Sequence, residues 1–258
     1  MNFRERVLRR EPLIGTHISL GNFAIADIFS LCGYDFIWID TEHAAIDYTE
    51  LLACVRIIQA HGVAAVVRAH VENPNHTKRL LDMGIDGIVF PQIDTVERAK
   101  DAISSCLYPP NGVRGFGPHA AIHYGMRDVN DYVKRSKDEL AVFLQVESAK
   151  AVENLEGICS LFHADGFIIG PCDFSLFVSG TVEPKGEKAL SEIRKAIDIA
   201  RTHNKSIGIS LSTTDIHEQR FWIEQGLNFI SSGTDIEYLQ KGALHNAKQL
   251  REIMKRYL

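Results

Sequence analysis

The sequence of 258 residues is poor in long apolar runs, in paired cysteines and in clustered positive charge, and each shortage removes a class of protein. No run approaches the roughly 18 apolar residues of a membrane span. The opening MNFRERVLRREPLIG lacks the uninterrupted apolar stretch of a secretory signal, so the expectation is a cytoplasmic protein with no membrane partner. Five cysteines, Cys32, Cys54, Cys106, Cys159 and Cys172, are an odd number without a C-x-x-C pair. They read as reduced thiols rather than as a disulfide framework or a thiolate zinc site. The 28 Lys and Arg are scattered among 33 Asp and Glu, for a net charge of −5, and nucleic acid is therefore not an expected partner. A G-x-G-x-x-G dinucleotide turn is also missing.

What remains is a composition of 45% hydrophobic and 24% charged residues, enough for a sizeable core, arranged as short Ile, Val and Phe-rich runs that alternate with helix-period segments. The expected strands are Ile14–Leu20, Phe36–Asp40, Ala64–Arg68, Gly87–Phe90, Ala141–Val146, Gly166–Ile169, Ser206–Ser210 and Asn228–Ser232. Helix starts are marked by Asp47, Asp94 and Asp235, and helix ends by Gly33, Gly62, Gly84 and Gly226. Eight such units without a linker predict an α/β fold, a (β/α)₈ TIM barrel, as a single domain over residues 1–258. One stretch, Leu107–Arg127, is too long and too rich in Pro, Gly and aromatics for a simple connector, and its His119 and His123 are placed to act if the loop closes over a site.

In such barrels the chemistry sits where the strands end. Strand 2 runs into Asp40, Glu42 and His43, strand 3 ends at Arg68, strand 5 carries Gln145 and Glu147, and strand 6 is followed by Asp173. Residues two apart share a face, so Gln145 and Glu147 point into the barrel while Leu144 and Val146 meet the helices. An inward carboxylate needs a cation. Glu147 and Asp173 are two hard oxygen ligands around which water and substrate complete an octahedron on Mg²⁺ or a similar ion. Arg68 is a permanent cation suited to a carboxylate or an oxyanion. His43 is the candidate general acid/base, with Asp40 orienting its imidazole. Each has a plain structural alternative: a lone Asp or Glu at a strand end is more often a cap, and His43 alone could satisfy a core hydrogen bond. His61, His203 and His245 fall at or in helices, and His17, His70 and His76 lack a carboxylate cluster, so surface or core roles are expected for them.

The motifs IDTEH (Ile39–His43), VVR (Val66–Arg68), KRLLDMG (Lys78–Gly84), YPPNGVRG (Tyr108–Gly115), QVES (Gln145–Ser148) and GPCD (Gly170–Asp173) occur in this order, and with them the chain resembles the HpcH/HpaI aldolases over nearly its whole length. The resemblance implies the same barrel and an aldehyde-lyase that cleaves a 4-hydroxy-2-oxo acid to pyruvate and an aldehyde through a metal-stabilised enolate. It implies a divalent metal (Mg²⁺, Mn²⁺ or Co²⁺) on Glu147 and Asp173, Arg68 on the pyruvyl oxygens, and His43 with Asp40 as the acid/base pair. Gln145, Gly170, Pro171 and Cys172 would line the substrate site. It also implies a homohexamer built as a dimer of trimers, with the final helix, expected at Ile236–Tyr257, on a neighbouring subunit. Cys172 departs from the small Ala or Ser usual in the family and is expected to be buried and inert. A Schiff-base aldolase needs a lysine inside the barrel. Lys205 lies at the wrong end of strand 7 and Lys150 falls in a helix. Acyl-CoA lyase or macrophomate-synthase-like chemistry on the same barrel is the alternative, and a barrel that has lost catalysis is the rival from another class.

Overall fold

The computed structural model describes residues 1–70 and 74–257. The apolar runs form strands β1 Leu13–Ile18, β2 Phe36–Asp40, β3 Ala64–Arg68, β4 Gly87–Phe90, β5 Ala141–Val146, β6 Gly166–Ile169, β7 Ser206–Leu211 and β8 Phe229–Thr234. Each pairs in parallel with the next, and β8 pairs with β1, which closes the barrel. Between and around them lie α1 Phe3–Leu8, α2 Phe23–Ser30, α3 Tyr48–Ala60, α4 Pro74–Asp82, α5 Val96–Cys106, α6 Val129–Glu139, α7 Ala149–Cys159, α8 Pro171–Ser179, α9 Glu187–Thr202, α10 Ile216–Ile223 and α11 Asp235–Met254. Among the described residues no helix is long and apolar enough to cross a membrane.

The period-two alternation divides the core. Ile37, Ile39, Val67, Leu144 and Val146 face outward into the layer shared with the helices. Leu13, Phe36, Trp38, Ala64, Val66, Phe143, Ile168 and Phe229 fill the barrel interior, joined from below by Phe3 and Val7 of α1. The aromatic floor leaves no room for further side chains: a Cβ on Gly208 would lie 2.4 Å from the Phe229 ring, and one on Gly15 2.4 Å from the Phe36 ring.

Asp47 caps α3 in a full capping box with Glu50. The glycines expected to end helices adopt positive φ, 86° at Gly33, 75° at Gly62, 82° at Gly84 and 96° at Gly226. The differences are local. Thr95, not Asp94, caps α5, because the Asp94 carboxylate is drawn to Arg98 and Lys150. The last helix begins at Asp235 under a Thr234 cap and ends at Met254. Three helices have no counterpart among the expected units: the plug α1, α6 between the long stretch and β5, and the short α8, which follows β6 directly and precedes the longer α9.

The long stretch 107–127 holds a 3₁₀ segment, Ala120–Gly125. It packs toward the end at which the strands start, with the Ala121 backbone against Gly84, and Arg114 anchors it by pairing with Asp82 at 2.9 Å while lying over the rings of Tyr108 and Tyr132. Closure over the mouth of its own barrel, the role expected for His119 and His123, is therefore not what this loop does here. His123, Arg114 and Tyr132 line a cavity of about 630 Å³ beside Phe3 instead.

Candidate active site

The same alternation that fills the floor continues upward and decides what lines the mouth. One step above Trp38 on β2 is Asp40, and its register partner on β3 is Arg68. Arg68 donates from Nε and Nη2 to Asp40 Oδ1 and Oδ2 at 3.0 and 2.6 Å, and its Nη1 lies 3.3 Å from Glu42 Oε2. Burial pushes the Asp40 carboxyl up, but the hydrogen bond and charge of Arg68 and the backbone N–H groups of Glu42 and His43 outweigh it, leaving Asp40 below the usual carboxylate range. Burial keeps Glu42 above its ordinary value despite the same arginine.

Asp40 thus has a different partner from the one expected. Its carboxylate is occupied by the guanidinium and by two backbone N–H groups, including that of His43 at 3.3 Å, so it fixes the His43 backbone rather than the imidazole. The His43 ring is 66% exposed, and the carboxylate near its Nε2 is that of Glu42, at 3.7 Å.

Across the mouth Gln145 and Glu147 both face inward, at 1% and 4% exposure. The Gln92 backbone N–H donates to Glu147 Oε2 at 2.9 Å and the Gln145 amide donates to Oε1, while Gln145 Oε1 is buried without a partner. Burial is the main reason that Glu147 is pushed up to about 7. The Gln92 N–H and Arg68 oppose the shift, and the nearby charges of Asp173 and Glu42 add to it. The chain passes close at β6's end, where a Cβ on Gly170 would sit 2.6 Å from Glu147 Oε1. Gly170 caps α8, Pro171 opens it, and Asp173 stands exposed in its first turn. A cleft of about 410 Å³ reaches Glu147 past Gln92, Ser148, Lys150 and Phe177.

Cys172 corrects an expectation. It is exposed, because Pro171 takes the buried position at the head of α8 and turns the next side chain outward. Partial burial and the Asp173 charge still hold its thiol above the ordinary range. The five cysteines are all free. Lys150, on α7, pairs with Asp94, and Lys205, just before β7, donates to the Ala164 carbonyl, so neither reaches the interior.

Two further residues stand at the mouth: His17, for which only a surface or core role was expected, and Gln92, which the sequence reading did not single out. His17 is inward on β1 above Leu13 and Gly15, 6% exposed, bonded at Nδ1 to the Gly233 carbonyl and at Nε2 to Ser210, and within electrostatic reach of Arg68 and Asp40. Burial lowers it to about 4, so it is neutral. The signal was its parity with Leu13. Gln92 sits just after β4 with φ of 54°, a left-handed conformation that costs a non-glycine residue and here aims its N–H at Glu147. Among the described residues no group of three or more His, Cys, Asp or Glu side chains is gathered as a complete metal centre, and the two carboxylates expected to hold an ion are Glu147, buried, and Asp173, exposed. The donor set suits a hard cation: an oxygen-only pair, with the buried member unable to ionise easily unless a counter-charge arrives.

Residues 13–241 match the model of the HpcH/HpaI aldolase/citrate lyase family. The chain belongs to that family. It is 32% identical over 241 residues to a hydroxypyruvate/pyruvate aldolase of Deinococcus radiodurans, covering 93% of this chain and 86% of the relative. To a 4-hydroxy-2-oxo-heptane-1,7-dioate aldolase of Salmonella dublin it is 29% identical, covering 93% and 91% of the two chains. A solved HpcH/HpaI aldolase/citrate lyase family protein from Burkholderia cenocepacia superimposes with a TM-score of 0.89 at 29% identity, over 96% of this chain and 98% of that one. These HpcH/HpaI relatives cover nearly the whole barrel, mouth included.

Proposed function

We propose that the protein is an aldehyde-lyase that reversibly cleaves a 4-hydroxy-2-oxo acid to pyruvate and an aldehyde, with Glu147 and Asp173 holding a divalent cation, Mg²⁺, Mn²⁺ or Co²⁺. The observation that carries the reading is the state of Glu147, a 4% exposed carboxylate pushed up to about 7, with Asp173 and Glu42 near it and the Arg68 guanidinium beside them. Such a group is a poor lone anion and a good ligand for a hard ion. The ion, when bound, supplies the positive charge that acidifies the carbon next to the keto group and offsets the negative charge that develops there.

The remaining work falls to the chain. Arg68 has five N–H donors, of which three face Asp40 and Glu42, leaving two for the substrate's carboxylate and keto oxygens. His43, exposed on the rim, accepts the C4 hydroxyl proton as the C3–C4 bond breaks, and the aldehyde leaves from that side. The buried, unpartnered Gln145 Oε1 beside Glu147 and the close passage of Gly170 support their lining the substrate site, with Pro171 and Cys172 following at the head of α8. Exposed Leu239, Leu244, Leu250 and Ile253 on α11 support burial of this helix on a neighbouring copy. A homohexamer of two trimers in the cytoplasm completes the proposal.

The test is pyruvate release from a panel of 4-hydroxy-2-oxo acids, followed by coupled lactate dehydrogenase with each metal in turn. Turnover well above the metal-only rate is expected for at least one substrate. No substrate exceeding that background would overturn the proposal.

A further inference from the structure

A pair of histidines in contact lies outside the mouth, where β3 leaves the barrel and α4 begins. His70 Nδ1 and His76 Nε2 face each other at 2.8 Å, with the rings perpendicular at 89° and their centroids 4.0 Å apart. The far nitrogen of His76, Nδ1, is 2.7 Å from the Tyr48 hydroxyl, and Arg79 lies over the Tyr48 ring. His76 is 8% exposed, whereas His70 is open to solvent. The carboxylate site and the strand-end chemistry use none of the three.

We propose that His70 and His76 form a binding site for a borderline divalent cation, Zn²⁺, Cu²⁺ or Ni²⁺, separate from the carboxylate pair at the mouth. Imidazole nitrogens select these ions over Mg²⁺ and Mn²⁺. Two imidazoles on one tetrahedral ion stand about 3.3 Å apart, from nitrogen–metal distances of about 2.05 Å, so the rings need to part by only about half an ångström. The outer partner is already in place. A ligating histidine donates its other N–H to an acceptor that fixes the tautomer. With the ion on Nε2, the neutral His76 ring carries its proton on Nδ1, where the Tyr48 hydroxyl oxygen accepts it, and no proton need leave the protein. Burial, with the charges of His70 and Arg79, lowers His76 to about 4, so at neutral pH its nitrogen is not competing with a second proton. Exposed His70 gives the ion its entry, and water fills the remaining positions. Arg79 opposes the cation's charge and sets an upper limit on affinity.

The experiment is calorimetric titration of Zn²⁺ into the full chain carrying Glu147→Gln and Asp173→Asn, so that the mouth no longer competes, with and without His70→Ala. Circular dichroism checks the fold. His70 is exposed, and its loss should leave the spectrum unchanged. One equivalent of Zn²⁺ is expected in the parent and in a His245→Ala control, and its loss in His70→Ala. Cu²⁺ in the parent should show electron paramagnetic resonance hyperfine structure from nitrogen ligands that is missing in His70→Ala. Equal Zn²⁺ stoichiometry and affinity with and without His70, or no bound equivalent in the parent, would overturn the proposal. The pair would then be a hydrogen bond that ties α4 to β3 and nothing more.

Discussion

Glu147 links the chemistry at the mouth to the stability of the chain. Its folded pKa of about 7 stands above the ordinary 4.5, so the folded state holds the proton more tightly than the unfolded chain. The stability this confers is complete below about pH 4.5 and is lost as pH rises through about 7, an effect on the order of 3 kcal/mol. Glutamine mimics the protonated form. In chelator, Glu147→Gln should therefore melt above wild type at pH 8, with the gap closing toward pH 5, and divalent cation should raise the Tm of wild type alone. A gap independent of pH would place the shift elsewhere. For His43→Ala the expected loss in kcat is about 10²- to 10⁴-fold with metal affinity kept, the usual worth of a positioned acid/base. Near-normal turnover would remove it from that role. At this scale the sequence was legible where a polar residue ended an apolar run, as at Arg68 and Glu147. It was not legible where identity depends on partners: nothing in IDTEH distinguishes an Asp40 that holds an imidazole from one that takes two N–H bonds from Arg68, because that choice is made by strand pairing.

The junction of β6 and α8 is the element on which the mouth depends most. Gly170 passes so close to Glu147 that an added methyl group would reach 2.6 Å from Oε1 and 3.1 Å from the Gln145 amide. Gly170→Ala should displace both, with metal affinity and kcat/KM falling at least about tenfold, the order seen when the partners of a metal ligand are lost. The Tm should move little, since the strain can relax into the open cleft. Wild-type metal affinity in this variant would show that the approach is looser than drawn. The strands were readable because β-branched and aromatic runs bounded by turn glycines have few alternatives. Helix α1 was not, since FRERVL is a single amphipathic turn and a half whose Phe3 and Val7 gain stability only by entering a barrel formed by the rest of the chain. Helix α8 was hidden for the opposite reason, its PCDFSLFVS being apolar on most sides.

For the molecule as a whole, EDTA should abolish activity and divalent cation restore it, while borohydride with pyruvate should leave the mass of the chain unchanged, since Lys150 and Lys205 are both engaged outside the barrel. Full activity in EDTA, or a reduced pyruvyl adduct, would replace the mechanism and keep the fold. Light scattering should return a multiple of the 28.9 kDa chain, and Leu239→Glu with Leu250→Glu on α11 should shift that mass downward. A monomeric wild type would leave those exposed leucines without the partner assigned to them.

The plug formed by α1 also constrains the kinetics. Phe3 and Val7 close the interior at the end where the strands start, and the Ser206 hydroxyl, donating to the Val7 carbonyl, pins the plug to the wall. The barrel is a vessel with one door. Both products must leave by the route through which the substrate entered, and in the site proposed above the fragment against Arg68 and Glu147 leaves last. Product inhibition should accordingly be ordered, with pyruvate competing with the 4-hydroxy-2-oxo acid for the empty enzyme and the aldehyde acting only on the form that pyruvate still occupies.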